Sequence, residues 1–197
     1  HRGYSYNPIR REVSYTMTVK INADTSDGLK FVSDTSGIVE IQSNGTTKFD
    51  TTAPSFSAYQ SSQQTGISNG ATTKINFQTE EWDTNSDYDT SNSRFTPSVA
   101  GYYQITIGCQ GGTSRSGNGT SALFIYKNGS KFKDMVMNEG HTNQVTWGVH
   151  TAVVSCNGSS DYIEAYVNAD GMPSTFNLSS STTNHRTFFQ AVYLRGL

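Results

Sequence analysis

From residue 53 onward, apolar and polar side chains alternate in short runs, and no window repeats with the helical period of 3.6. Between Tyr102 and Cys109, Tyr103, Ile105, Ile107 and Cys109 fall on one face while Tyr102, Gln104 and Thr106 fall on the other. Ala122 to Tyr126 is an apolar run that meets Asn128-Gly129, a tight-hairpin signal. Gln144 to Cys156 is rich in β-branched residues. Asp161 to Val167 sets Ile163, Ala165 and Val167 against Tyr162, Glu164 and Tyr166. Thr187 to Leu194 sets Phe189, Ala191 and Tyr193 against Phe188, Val192 and Leu194. Gly, Asn and Ser turns separate these runs at the spacing of a sandwich or jelly roll. The pattern predicts an all-β head over residues 53–197 with almost no helix.

Residues 1–52 differ. Asp24-Thr25-Ser26-Asp27-Gly28 precedes Leu29-Lys30-Phe31-Val32, and Asp34-Thr35-Ser36-Gly37 precedes Ile38-Val39-Glu40-Ile41. Asn44-Gly45 follows. Strands this short bury little within one chain. They fit a β-stalk or attachment segment in which each strand packs against its equivalents in neighbouring copies.

Composition narrows the class. Hydrophobic residues make up 34% and charged residues 15%, yet 11 Tyr and 10 Phe supply a core, and 4 Pro with a formal charge of -2 is not a disordered composition. With 14 basic residues against 16 acidic ones there is no broad phosphate-binding field. The local exception is Arg2, Arg10 and Arg11 in the first dozen residues. An arm touching nucleic acid or an acidic partner fits them. A short extension packed on a neighbouring subunit fits at least as well, and nucleic acid is not expected as a partner. No stretch is long and apolar enough to predict a membrane span.

Candidate chemistry is sparse. His1, His141, His150 and His185 form no metal-binding pair, and no GxSxG marks an elbow serine. Glu139, Glu164 and Asp170 are carboxylates of the type a glycosidase uses, but their spacing selects no pair. No catalytic residue and no cofactor is expected. Cys109 and Cys156 both fall in apolar strands, where two buried free thiols are the common reading and one inter-sheet disulfide the sharper one. The Gly-rich stretch from Gly111 to Gly119 has no strand-to-helix context. It predicts a flexible apical loop in which Arg115 and Asn118 could meet a ligand. Asn44, Asn118, Asn128, Asn157 and Asn177 begin Asn-x-Ser/Thr sequences, which are glycan acceptors in a eukaryotic secreted protein.

Phe77, Asp83, Tyr88, Phe95, Gly101 and Tyr103 stand at the spacings of the C1q-like signature, so the chain resembles the C1q-like relatives of the tumour necrosis factor fold. Ile105 and Ile107 replace the aromatics usual at the end of that signature. Phe56-Ser57-Ala58, Lys127-Asn128-Gly129, the strand from Asp161 to Val167, and Phe189 to Leu194 resemble further family segments in the same order. Ser160 and Ala191 stand where the family has Gly. The resemblance covers residues 53–197 and implies a jelly roll of about ten antiparallel strands that forms a homotrimer. It assigns Phe56, Phe77, Tyr88, Phe95, Tyr103, Ile105, Phe189 and Tyr193 to the core or the trimer contact. Outward Tyr102, Tyr162, Tyr166 and Phe188 would be covered in part by a symmetric assembly.

Some C1q-like heads bind calcium near their axis, which makes Asp83, Asn85, Asp87 and Asp89 weak calcium candidates. An EF-hand is excluded, because Tyr88 stands where the loop needs Gly and Arg94 where it needs Glu. The DTSG and NG segments are similar to short β-repeats of bacteriophage fibre and decoration proteins. The combined expectation is a non-enzymatic virion surface protein. It would contact other virion structural proteins and bind a host-surface glycan or receptor through a trimeric head. A secreted C1q-like recognition protein is the alternative.

Overall fold

The computed structural model describes residues 53–139 and 145–197, together with two short strands, β1 (Gln42–Ser43) and β2 (Thr46–Thr47). The chain divides into two compact units, residues 1–50 and 51–197. In the first, β1 and β2 pair antiparallel with Ser43 opposite Thr46. The basic arm at Arg2, Arg10 and Arg11 and the DTSG repeats lie outside the described residues.

The second unit is all-β, two antiparallel sheets face to face, with no helix among the described residues. Its strands are β3 (Ser55–Tyr59), β4 (Gln64–Ser68), β5 (Thr73–Lys74), β6 (Thr79–Asp83), β7 (Tyr88–Asp89), β8 (Arg94–Phe95), β9 (Ala100–Ser114), β10 (Gly119–Lys127), β11 (Ser130–Glu139), β12 (Val145–Asn157), β13 (Ile163–Ala169), β14 (Thr175–Leu178) and β15 (Phe188–Arg195). The 6-stranded sheet runs β11-β10-β13-β8-β7, with β5 also on β13. The 7-stranded sheet runs β4-β14-β9-β15-β3-β6, with β12 on the other side of β9. β15 therefore sits between β9 and β3, with Ala191 opposite both Ile105 and Phe56.

Period-2 alternation decides what lies between the sheets. Tyr103, Ile105, Ile107 and Cys109 from β9 meet Leu123, Ile125, Ile163, Ala165 and Val167 from the facing sheet, all buried. Phe56 is the hub of an aromatic cluster. Its ring centroid lies 4.6 Å from Tyr88, 4.7 Å from Phe95 and 4.9 Å from Phe189. Phe56, Phe77, Tyr88, Phe95, Tyr103, Ile105 and Phe189 are all core residues here, and Tyr193 packs against the core partly buried. The buried phenols keep partners: the Tyr88 hydroxyl donates to the Phe77 carbonyl at 3.0 Å and the Tyr103 hydroxyl to Val99 at 2.7 Å.

Cys109 and Cys156 are free and buried. The register rules out a bridge. Cys156 opposes Gly101 on β9, eight residues from Cys109, roughly 26 Å at about 3.3 Å per residue. The disulfide reading is thereby corrected.

Candidate functional site

The loop from Ser114 to Gly119 is tied down. Arg115, expected to face a ligand, is 1% exposed. Its guanidinium turns inward and donates to the Asp170 carbonyl and the Ser121 hydroxyl. Asp170 in turn accepts from the Thr120 backbone N–H and from its hydroxyl at 3.1 Å. Ser116 and Gly117 both donate their N–H to Gly171 O at 3.0 Å. A buried cation needs fixed acceptors, and the Asp170 carbonyl and the Ser121 hydroxyl supply them. Arg115 is thus a brace for the loop rather than a contact on it. Asn118 stays exposed beside it.

The outer face of the 7-stranded sheet is uncharged over its centre. Val153, Gln104 and Val192 share one cross-strand row, and Thr151, Thr106, Gln190 and Ser57 the next. Val153, Val192, Leu194 and Val149 are 45%, 48%, 49% and 53% exposed, which is a concentration of aliphatic surface on one face. Arg195 bounds it, its guanidinium 4.8 Å from the Tyr102 ring. At the β3–β6 edge, Trp82 is 45% exposed. There Glu81 accepts from Ser57 Oγ at 2.5 Å and pairs with His185 Nδ1 at 2.8 Å, while the His185 ring stacks on Tyr59 at 3.9 Å. Next to Phe188 lies an open pocket of about 310 Å³ lined by Gly108, Cys109, Gln110, Gly148, Val149, Arg186 and Phe188.

The 6-stranded sheet carries a different outer face. Tyr126 and Tyr166 stack at 4.0 Å, and Arg94 lies 3.9 Å over the Tyr162 ring. Among them is Glu164, whose Oε1 takes Lys74 Nζ at 2.7 Å and Arg94 Nε at 2.9 Å. Burial pushes the Glu164 carboxyl up, but the hydrogen bonds and charges of Lys74 and Arg94 outweigh it, and the net direction is down. The outward aromatics fall in two sets, Tyr102 and Phe188 on one sheet and Tyr162 and Tyr166 on the other, so an assembly through one sheet face covers only part of them. Alternation tells inside from outside but not which sheet a strand joins.

Two of the calcium candidates, Asp83 and Asp89, are spent on turns, while the buried Oδ2 of Asp87 has no hydrogen-bond partner among the described residues. Asp83 accepts from Asn85 N at 3.2 Å and Tyr88 N at 2.7 Å, and Asp89 accepts from Ser91 N at 2.8 Å and Ser91 Oγ at 2.6 Å. Asp87 is buried beside Tyr88. Among the described residues no three His, Cys, Asp or Glu side chains converge to hold a metal ion. Glu80 is raised from the ordinary glutamate value, by burial first and the charges of Asp83 and Asp89 second. The candidate hydrolytic carboxylates are not brought together either. Glu164 is held by two cations and Asp170 by Thr120; the Glu139 side chain, like His1, His141 and Asn44, lies outside the described residues. His150 is buried, with Nδ1 3.2 Å from the Leu123 carbonyl. Of the Asn-x-Ser/Thr positions, Asn128 and Asn157 use their amides to close turns against Asp161, Tyr162 and Ser160.

No protein-family model matches the chain, and no curated protein matches it in sequence. Solved structures match in fold. The globular domain of zebrafish complement 1qA protein superposes at TM-score 0.50 with 14% identity, over 74% of this chain and 99% of that one. Eiger TNF from S. frugiperda superposes at 0.53 with 11% identity, over 74% of this chain and 93% of that one. Murine APRIL superposes at 0.54 with 12% identity, over 72% of this chain and 99% of that one. The fold is the C1q/TNF-like jelly roll.

Proposed function

We propose that this chain is a homotrimeric, non-enzymatic recognition head whose copies meet through the outer face of the 7-stranded sheet. The observation that carries this is the aliphatic face itself: Val149, Val153, Val192 and Leu194 stand half-exposed around an uncharged centre of Gln, Thr and Gly. Covering such a face stabilises by about 25 cal/mol for each Å² of apolar surface removed from water. A threefold ring made of this face and a different patch on the next copy closes on itself. The aromatic and charged face of the 6-stranded sheet and the loop at Asn118 then remain outward. Repeated three times on one rigid head, they bind a host-surface glycan or protein receptor with avidity.

The setting we favour is a virion surface, as a fibre or decoration protein in contact with other structural proteins. The short β-segments before residue 52 favour it, since segments of that length need neighbouring copies to bury anything. A secreted head is the other setting the fold suits.

Native mass by light scattering after size exclusion tests the assembly. Three times the 21.5 kDa chain is expected, falling to one chain when Val153→Lys and Val192→Lys are introduced together. A monomeric wild type, or a trimer indifferent to both lysines, overturns the reading.

A further inference from the structure

We infer that the pocket beside Phe188 is a binding site for a small carboxylate with an aromatic or branched apolar body. The pocket is two-ended, and the sheet register makes it so. Val149, Gly108 and Phe188 occupy one cross-strand row. Gly108 has no side chain to fill the floor, and the Phe188 ring leans over it so closely that a β-carbon there would lie 2.1 Å from Cε1. Two residues further along β9, roughly 6.6 Å on, stands Gln110, with Arg186 also in the lining.

One end of the pocket is thus ring and isopropyl surface, beyond it stands the Gln110 amide, and the Arg186 guanidinium belongs to the same lining. Neither the Gln110 amide nor the Arg186 guanidinium has a partner among the described residues. Glu81, on the same sheet, is already engaged by Ser57 and His185. An unpaired guanidinium selects a planar anion and holds it through two parallel hydrogen bonds. The apolar row selects the rest of the molecule. The volume, about 310 Å³, lies at the small end of ligand pockets.

This site shares a sheet face with the proposed assembly contact, so occupancy and assembly are measured together. The probe is 3-phenylpropanoate, whose two-carbon link spans the distance between the two ends, with 3-phenylpropanamide as its uncharged twin. Titration calorimetry is run on wild type and on the Val153→Lys, Val192→Lys variant, with mass measured by light scattering on the same samples. Saturable binding of the acid is expected in at least one of the two forms. Affinity falls by about tenfold or more for the amide and for Arg186→Gln, the loss of a charge-assisted pair. Phe188→Leu weakens binding while leaving the acid preference intact.

Binding only to the double-lysine variant also supports the site and shows that a second copy covers it. No saturable binding in either form, or equal affinity for acid and amide, overturns the inference whatever the mass proves to be. The assembly reading fails separately, on mass alone.

Discussion

Tyr193 on the last strand crosses directly over Gly101 at the start of β9: a β-carbon at 101 would lie 2.3 Å from Tyr193 Cε2 and 2.6 Å from the Arg195 carbonyl. The glycine of the Gly-x-Tyr signature and the closing aromatic are thus one contact, and Gly101 is fixed by space.

A comparison of two glycines tests that. Gly101→Ala destabilises the head by about 1–3 kcal/mol through overpacking, and Tyr193→Ala in the same chain recovers only part, because the Arg195 backbone stays in the way. Gly108→Ala costs a similar amount, but the three atoms nearest to that β-carbon are ring atoms of Phe188, so Phe188→Ala relieves the clash. Urea unfolding of the four singles and doubles reads the coupling.

Acid acts on the buried carboxylate. Glu164 has its folded value depressed, so its contribution is complete above the ordinary glutamate value near 4.5 and is lost as pH falls through the folded value. Wild type is expected to lose stability steadily below about pH 4.5. Glu164→Gln, which leaves Lys74 and Arg94 without their anion, is less stable at neutral pH by about 1–3 kcal/mol, discounted because both cations are partly exposed. The variant's stability then falls less steeply in acid. Parallel slopes from pH 5 to 3 would refute this.

The two thiols titrate the other way. Burial pushes Cys109 up to about 12. Burial first, and the charge of Asp161 against that of Lys127, pushes Cys156 up to about 11. Their folded values are raised, so the folded state holds protons that the unfolded chain gives up above about 8.5, and stability declines from there upward. Ellman's reagent at pH 8 should label neither cysteine until denaturant is added and both afterwards. Prompt labelling of the native protein, or an oxidised mass, would contradict the geometry.

Arg115 should behave as a structural residue. Arg115→Ala removes the hydrogen bonds to the Asp170 carbonyl and the Ser121 hydroxyl at a cost of about 2–4 kcal/mol. Hydrogen exchange at Ser116 and Gly117, whose N–H groups bond to Gly171, should quicken before the core does. Asn118→Ala, in the same loop but exposed, should leave both stability and exchange unchanged.

Alternation made the interior legible: Tyr103, Ile105 and Ile107 against Ile163, Ala165 and Val167 follow from period 2 alone. Strand ends did not, because β9 continues through Gly111 and Gly112 to Ser114, where glycine carries no facing signal. β5, β7 and β8 are two residues each, too short for any period to show. Arg115 was misplaced because a charged residue in a Gly/Ser loop reads as solvated; what buries it is Asp170, brought in by a turn of another strand. The pocket had no sequence signal at all. It depends on Phe188, Gly108 and Val149 meeting across three strands remote in the chain.

Because β15 lies between β3 and β9, the sheet has a missing member until that strand arrives. Gln190 bonds to Ser57, 133 positions earlier in the chain. During synthesis β3 and β9 emerge with unpaired edges and wait for most of the head to follow, and open edges of this kind are where nascent chains join the wrong neighbour. Folding governed by so remote a pairing is slow. In a crowded polysome, where identical chains wait side by side, the same vacancy offers a β15 strand from the adjacent chain a place to insert. Exchange of the Phe188–Arg195 strand between copies is therefore the misassembly to which this strand order most exposes the head.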